Sequence, residues 1–129
     1  MKEHTLVHFD LPASNPEKLS KFYSSLFGWK FTKYGDPSQS YYLIATKDAK
    51  DPMMESFGGM YKREDMPEHG IINYFLVKNI DASVANAKKL GAKVIQEKVE
   101  IPQVGWSATL KDPENNTFAF FQAAQNSRM

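Results

Sequence analysis

The feature that most constrains the fold of this chain is a pattern of elements that occurs twice. Each half reads as a strand, an amphipathic helix and three further strands, and each helix ends at a glycine, Gly28 in the first half and Gly91 in the second. Such internal repetition indicates two copies of one supersecondary unit. Because neither copy can bury a sheet face well alone, we expect two βαβββ modules that pack as a unit in an α+β fold.

The length and composition of the chain indicate one domain in which a central linker joins the two modules. The chain has 129 residues, which suits a single domain with a substantial core. We predict module one at about residues 4–61 and module two at about residues 71–124. Between them, a linker over about residues 62–70 is polar and contains Pro67 and Gly70, two residue types that interrupt regular structure.

The start of module one shows the alternation of a strand and then the start of a helix. Over residues 7–11, apolar residues alternate with His8 and Asp10, which predicts a strand with one apolar and one polar face. Asn15 is then expected to cap a helix that begins at Pro16. Since the apolar set must cover the core beneath the helix, His8 and Asp10 are expected on the opposite face of the sheet.

Charge and composition exclude several classes of function. The chain has 16 Lys and Arg against 15 Asp and Glu, and no charge run, so no nucleic-acid partner is expected. No apolar stretch reaches the roughly 20 residues that cross a bilayer, and the N-terminus lacks a signal-peptide core, so no membrane partner is expected. Cysteine is absent, which excludes disulfides and thiolate chemistry. These features favour a cytoplasmic protein.

Several motifs occur in a fixed order along the chain. They are Val7-His8-Phe9-Asp10-Leu11, Phe22-Tyr23, Phe27-Gly28-Trp29, residues 74–81, residues 90–94, Gly105-Trp106 and the turn Asp112-Pro113-Glu114-Asn115-Asn116. Together they resemble the vicinal oxygen chelate superfamily, which includes glyoxalase, bleomycin-resistance proteins and extradiol dioxygenases. Asn115 stands where the turn of the family usually has a glycine, and asparagine also tolerates left-handed backbone.

The resemblance covers nearly the whole chain and has structural implications. It implies paired βαβββ modules whose curled mixed sheets surround a cleft, with the helices outside. It also makes a homodimer plausible. Catalytic members hold a divalent metal with one side chain from each of four strands, and His8 stands at the first of these positions.

The other metal positions of the family lack donors in this chain. Ile72 and Ala119 match two of them, and the last falls near residues 58–60. Because a stable site needs three or four protein ligands, the interpretation is a protein without the family's metal and with no cofactor. The alternative is a metal-dependent lyase or dioxygenase whose non-standard shell uses His8, for example with Glu55.

We therefore expect a small, partly apolar or aromatic molecule to bind in the cleft between the modules. The candidate contacts are residues whose types offer apolar area or oriented hydrogen bonds: His8, Asp10, Tyr42, Tyr74, Trp106 and Phe121. Each has a purely structural alternative, because strand aromatics often pack across strands and a histidine can be hydrogen-bonded within a sheet.

Three questions stay open at this level. Ser107 and Thr109 alternate with apolar neighbours, and the pattern does not say which set faces the cleft. His8 and Asp10 could act as a general base and its orienting group, although catalytic residues are not identified. The protein could also be an interaction module whose dimer surface is the functional part.

Overall fold

The computed structural model describes residues 2–35 and 40–124. Its elements are β1 (Leu6–Ala13), α1 (Pro16–Phe27), β2 (Lys30–Lys33), β3 (Tyr42–Ala45), β4 (Gly58–Lys62), a 3-10 turn (Arg63–Asp65), β5 (Ile72–Leu76), α2 (Ile80–Lys89), β6 (Lys93–Ile101), β7 (Gly105–Lys111) and β8 (Thr117–Ala123). The α+β class and the strand–helix–three-strand order of each half are confirmed. No helix of the described part is long and apolar enough to cross a membrane.

The chain forms two compact units. The first unit spans His8–Ile71, and the second combines the described residues before His8 with those after Ile71. The N-terminal segment joins the second unit through backbone hydrogen bonds: His4 N donates to Leu76 O at 2.6 Å, and Leu76 N donates to Thr5 O at 2.9 Å. The start of β1 is therefore part of the second unit, although the rest of the strand belongs to the first.

In the first unit the strands lie in the order β2-β3-β4-β1. β1 and β4 are parallel and the other pairs antiparallel, so the sheet is mixed. Asn15 caps α1 by accepting a hydrogen bond from Lys18 N at 3.1 Å, and Gly28 ends the helix with a φ of 74°. Both helix boundaries agree with the sequence prediction.

The core of the first unit lies between its sheet and α1. Leu11, Ile44 and Met60 are buried there, and Leu19 and Tyr23 of the helix pack against them. No residue of α1 is itself buried, because its aromatic and aliphatic side chains cover the core from outside and keep much of their surface in solvent.

In the second unit the strand order is β5-β8-β7-β6, with β5 and β8 parallel and the other pairs antiparallel. Asn79 caps α2 by accepting a hydrogen bond from Ala82 N at 3.0 Å. Ile80 and Val84 of α2 are buried against Leu110. Asn115, with a φ of 70°, takes the left-handed conformation in the turn between β7 and β8, as its residue type allows.

Candidate functional site

The candidate site lies on the sheet face of the first unit that is turned away from α1. Leu11 of β1 belongs to the core beneath that helix, so the alternating residues His8 and Asp10 lie on the opposite face. Asp10 is in register with Gly59 of β4, which is in register with Leu43 of β3. Paired residues share a face, so these neighbours surround His8 and Asp10.

Three side chains meet on this face and form what we call the triad: His8, Asp10 and Tyr41. The Tyr41 hydroxyl donates to Asp10 Oδ1 at 2.7 Å. His8 Nε2 lies 2.9 Å from the same oxygen and 3.0 Å from the Tyr41 hydroxyl. Every distance is a hydrogen-bond distance, so each member contacts both others.

Two ionisable members of the triad are largely buried. The Asp10 side chain is 9% exposed and the His8 side chain 22% exposed. A carboxylate this buried needs donors, because desolvation of a charge without partners is costly. The Tyr41 hydroxyl donates to one oxygen of Asp10, and His8 Nε2 lies within hydrogen-bond distance of the same oxygen.

The backbone of β4 comes close to the triad at Gly59. A Cβ at this position would overlap the Tyr41 hydroxyl and Asp10 Oδ1. Any larger residue would therefore displace Tyr41 from Asp10. The glycine is needed here for space, since its φ is not in the left-handed region.

Two further tyrosines flank the triad. The Tyr34 ring contacts the Tyr41 ring edge to face, with centroids 6.3 Å apart. Tyr61 follows Gly59 on the same face, and its hydroxyl donates to the carbonyl oxygens of His69 at 3.0 Å and Gly70 at 2.7 Å. These bonds attach the end of the predicted linker to β4.

Burial and charge keep Tyr61 protonated. Burial raises the pKa of Tyr61 above its ordinary value, and the negative charge of Asp10 raises it further, while Arg63 opposes both. The neutral hydroxyl is the form that can donate to the two carbonyls, so the pKa shift and the hydrogen bonds favour the same state.

Two of the predicted ligand contacts lie on sheet faces that pack against a helix. Tyr42 packs against the core beneath α1, and Trp106 packs against the core beneath α2. The Trp106 ring also lies 5.6 Å from Lys98 Nζ. Both aromatics have structural roles here, because each fills space between sheet and helix, and their contact with a ligand stays a prediction.

Tyr74 and Phe121 lie on the face of the second unit that is turned away from α2. Tyr74 is in register with Ala119, which pairs with Thr109, and Phe121 pairs with Ser107. The sequence did not show which alternate residues of β7 lie on this face, and the register shows that they are Ser107 and Thr109. Contact of Tyr74 and Phe121 with a ligand stays a prediction.

Comparison with known proteins decides the family. The model of the glyoxalase-like domain matches residues 6–121. This chain belongs to the glyoxalase-like domain family. The resemblance to the vicinal oxygen chelate superfamily is confirmed.

Individual relatives of this glyoxalase-like protein support the assignment. A glyoxylase-like domain-containing protein of Didymella fabae is 29% identical over 111 residues, covering 85% of this chain and 87% of that protein. The anthracycline biosynthesis protein DauV of Streptomyces sp. strain C5 is 26% identical over 125 residues. That match covers 88% of this chain and 45% of the relative, so the chain spans under half of the relative's length.

A solved structure supports the fold over the whole chain. Streptomyces coelicolor methylmalonyl-CoA epimerase in complex with 2-nitronate-propionyl-CoA superimposes with a TM-score of 0.69 at 12% identity. The match covers 99% of this chain and 100% of the epimerase chain. At this identity the likeness shows the fold alone.

The residues of this glyoxalase-like domain do not fit the metal that the family implies. Ile72 and Ala119, which match two ligand positions, are buried and carry no donor atom. His8 uses Nε2 for Asp10 and Tyr41. Among residues 2–35 and 40–124, no group of three or more His, Asp or Glu side chains is arranged to hold a metal ion.

Sequence reasoning missed Tyr41 and selected its neighbour Tyr42. Leu43 and Ile44 follow, so β3 has apolar residues on both faces and its sequence shows no alternation. The burial of Ile44 beneath α1 places Tyr42 on the core side and Tyr41 with Leu43 on the other. Counting alternate residues along the strand from one that is known to face the core would have identified Tyr41.

Proposed function

We propose that this glyoxalase-like protein lacks the family's metal site and binds a small, partly apolar or aromatic molecule. The proposed binding surface is the sheet face that carries the triad. The single observation that carries this proposal is the mutual hydrogen bonding of His8, Asp10 and Tyr41 on a face that the helix does not cover.

The triad supports a binding role because a stable sheet does not need it. Buried ionisable groups are costly, and well-packed apolar residues of similar size are often as stable or more so. At the position matching His8 the second unit has Ile72, which is 2% exposed, so the same strand position can be filled by an apolar residue. Polar groups that converge at a partly exposed imidazole are typical of ligand recognition.

The aromatic neighbours indicate the character of the ligand. The Tyr34 ring contacts the Tyr41 ring edge to face, which places aromatic surface beside the triad. The names of two similar proteins are consistent with such a ligand. DauV is an anthracycline biosynthesis protein, and the epimerase structure contains 2-nitronate-propionyl-CoA. Binding of a small molecule with an apolar or aromatic part is consistent with both.

A metal-dependent lyase or dioxygenase built on His8 is the alternative function. Glu55, the additional ligand it would need, accepts hydrogen bonds from Lys50 N at 3.0 Å and Asp51 N at 2.8 Å. Its carboxylate is thus used to shape the loop before β4. Metal analysis of protein purified without chelators separates the two functions, because an equimolar divalent ion that disappears in His8→Asn would overturn the metal-free proposal.

Ligand binding can be tested by thermal unfolding with a panel of aromatic antibiotics, thiol adducts and aromatic metabolites. We expect at least one class to raise the Tm of the wild type and of His4→Asn, but not of His8→Asn. His4 is the matched control, because its side chain is 72% exposed and lies outside the first unit. A panel without any Tm shift, or equal shifts in all three proteins, would contradict the proposal.

A cytoplasmic location and a homodimer stay predictions from the sequence and the resemblance. Light scattering measures the oligomeric state directly. A strictly monomeric protein would weaken the third function considered, an interaction module that works through its dimer surface.

A further inference from the structure

The second unit has a groove on the helix side of its sheet. The groove has a volume of about 280 Å³, close to the roughly 300 Å³ at which small-molecule sites begin. It is lined by the second half of α2 and by the turn between β7 and β8. Its apolar lining is formed by Ala87, Leu90, Ala92, Pro113, Phe118 and Phe120.

Comparison of the two halves of the repeat shows why this space is open. Tyr23 and Ala87 stand at the same distance from the asparagines that cap their helices, and Trp29 and Ala92 each follow the glycine after their helix. In the first unit the rings of Tyr23 and Trp29 stack with centroids 5.1 Å apart. The second unit therefore has two methyl groups where the first unit has two stacked rings.

The remaining aromatic side chains of the second unit give the groove an aromatic wall. Phe118 and Phe120 pack against the core of this unit and contact each other edge to face, with ring centroids 5.5 Å apart. Both side chains are half-buried and line the groove, so part of each stays accessible from it. Aromatic rings pair favourably with other rings in edge-to-face or offset arrangements, so this wall suits a planar aromatic ligand.

Asp112 gives the lining of the groove a negative charge. Its Oδ1 accepts from Glu114 N and Asn116 N, and its Oδ2 accepts from Asn116 Nδ2, each at 2.9 Å. A carboxylate offers about four acceptor positions, so one is left for a ligand. The Asn116 side chain is the main cause that lowers the pKa of Asp112, which keeps the group an anion at neutral pH.

The other polar residues of the lining add no permanent positive charge. Among residues 2–35 and 40–124, no lysine or arginine lines the groove. His4, the second titratable residue of the lining, lies at its edge with a side chain that is 72% exposed. The charge of the groove therefore favours a cationic ligand over an anionic one.

We propose that this groove is a second binding site, for a planar aromatic molecule that carries an ammonium group. The ring of the ligand takes the place that Trp29 fills in the first unit and packs against Phe118, and the ammonium group pairs with Asp112. The site is independent of the triad, because the residues of the groove and those of the triad belong to different units.

The first test uses three probes with one ring system and different charges: tryptamine, 3-methylindole and indole-3-propionate. In NMR titrations of the wild type, the backbone amides of Ala92 and Phe118 should respond. Tryptamine should bind about fivefold more tightly than 3-methylindole, the effect of one partly exposed ion pair, and indole-3-propionate should bind most weakly. Equal affinities, or responses confined to the first unit, would overturn this proposal and leave the proposed function intact.

The second test fills the groove or removes its charge. Ala92→Trp should abolish tryptamine binding, because the new indole occupies the groove as Trp29 occupies its place in the first unit. Asp112→Asn should remove the preference for tryptamine over 3-methylindole, whereas Glu114→Gln, the matched control in the same turn, should keep it.

Two results of the second test would overturn the proposal. One is undiminished tryptamine binding in folded Ala92→Trp, and the other is an undiminished preference in Asp112→Asn, which decides the matter if Ala92→Trp does not fold. His8→Asn should bind tryptamine as the wild type does, because the triad lies in the other unit. A loss of tryptamine binding in His8→Asn would place the probe at the triad and would also contradict the proposal.

Discussion

The two units build the same arrangement and place different chemistry on the sheet face turned away from the helix. In the first unit that face carries the triad of His8, Asp10 and Tyr41. In the second unit the corresponding face carries Ile72 and Ala119, which are 2% and 0% exposed, beside the buried hydroxyl residues Ser107 and Thr109. This face of the sheet therefore carries ionisable side chains in the first unit and none of the same kind at Ile72 and Ala119 in the second.

The difference separates residues that stabilise the fold from residues available for function. Apolar side chains on the second face contribute burial and packing, and their loss leaves a cavity. Polar side chains on the first face contribute little net stability, since their hydrogen bonds replace bonds to water. Substitutions at comparable positions of the two units test this contrast.

The largest effect is expected at the matched pair His8 and Ile72. Ile72→Ala should lower the free energy of unfolding by about 3 kcal/mol, because it opens a cavity in a fully buried position. His8→Ala should cost about 1 kcal/mol, because Tyr41 still donates to Asp10. Urea unfolding measures both values. A larger loss for His8→Ala would show that the polar face is structural and remove the contrast.

The next largest effects are expected at two glycines, one in each unit, whose backbone lies too close to a neighbouring group to leave room for a Cβ. Gly105→Ala in β7 should cost about 2 kcal/mol, because its Cβ would overlap the carbonyl oxygen of Gln122 and its φ is 155°. Gly59→Ala should cost about 1 kcal/mol, since Tyr41 can move aside, but it should abolish the hydrogen bond to Asp10.

Gly70→Ala is the control for both glycines, because a Cβ there would meet nothing within 4 Å. Thermal unfolding gives the stability of each variant, and NMR of the Tyr41 hydroxyl reports the hydrogen bond. If Gly59→Ala keeps that hydrogen bond, the assigned role of Gly59 is wrong.

A smaller effect is expected from Tyr61. Tyr61→Phe should lower the free energy of unfolding by about 1 kcal/mol at neutral pH, because the carbonyls of His69 and Gly70 lose their donor. The folded pKa is raised above the ordinary 10.0, so this stabilisation is present below pH 10.0 and is lost as pH rises through the folded pKa.

Unfolding free energies across the alkaline range test this prediction. The wild type should lose stability above pH 10.0 more steeply than Tyr61→Phe. Parallel curves for the two proteins would contradict the assigned role of Tyr61.

The smallest effect concerns Asp112 in the turn between β7 and β8. Its carboxylate accepts from Asn116 Nδ2, Asn116 N and Glu114 N, each at 2.9 Å, and the Asn116 side chain is the main cause of its lowered pKa. The group stabilises the fold above its ordinary value of 3.8, and this contribution is lost as pH falls through the lower, folded pKa.

Acid unfolding of Asp112→Asn tests this assignment against Glu114→Gln as the control in the same turn. Asp112→Asn should be slightly less stable than the wild type at neutral pH, and the difference should disappear as pH falls below 3.8. A difference that persists at low pH would show that the charge of Asp112 is not its cause.

Much of the fold could be predicted because local signals and tertiary structure agree. Asn15 and Asn79 cap the helices, and Gly28 ends α1, by contacts within a few residues along the chain. In β1 the alternation also placed His8 and Asp10 on the face opposite the helix. The sequence did not show that Tyr42 and Trp106 pack against the helices, because their strands carry apolar or aromatic residues on both sides.

The sequence by itself determined the repeated βαβββ order, the helix ends and the lack of donor atoms at Ile72 and Ala119, since each depends on residue type and short spacing. Only the tertiary structure decided that Tyr41, 31 residues from Asp10, donates to it. That contact depends on the register of β3 and β4 against β1 and on the space at Gly59. Register is set by packing of the whole sheet, and no single strand encodes it.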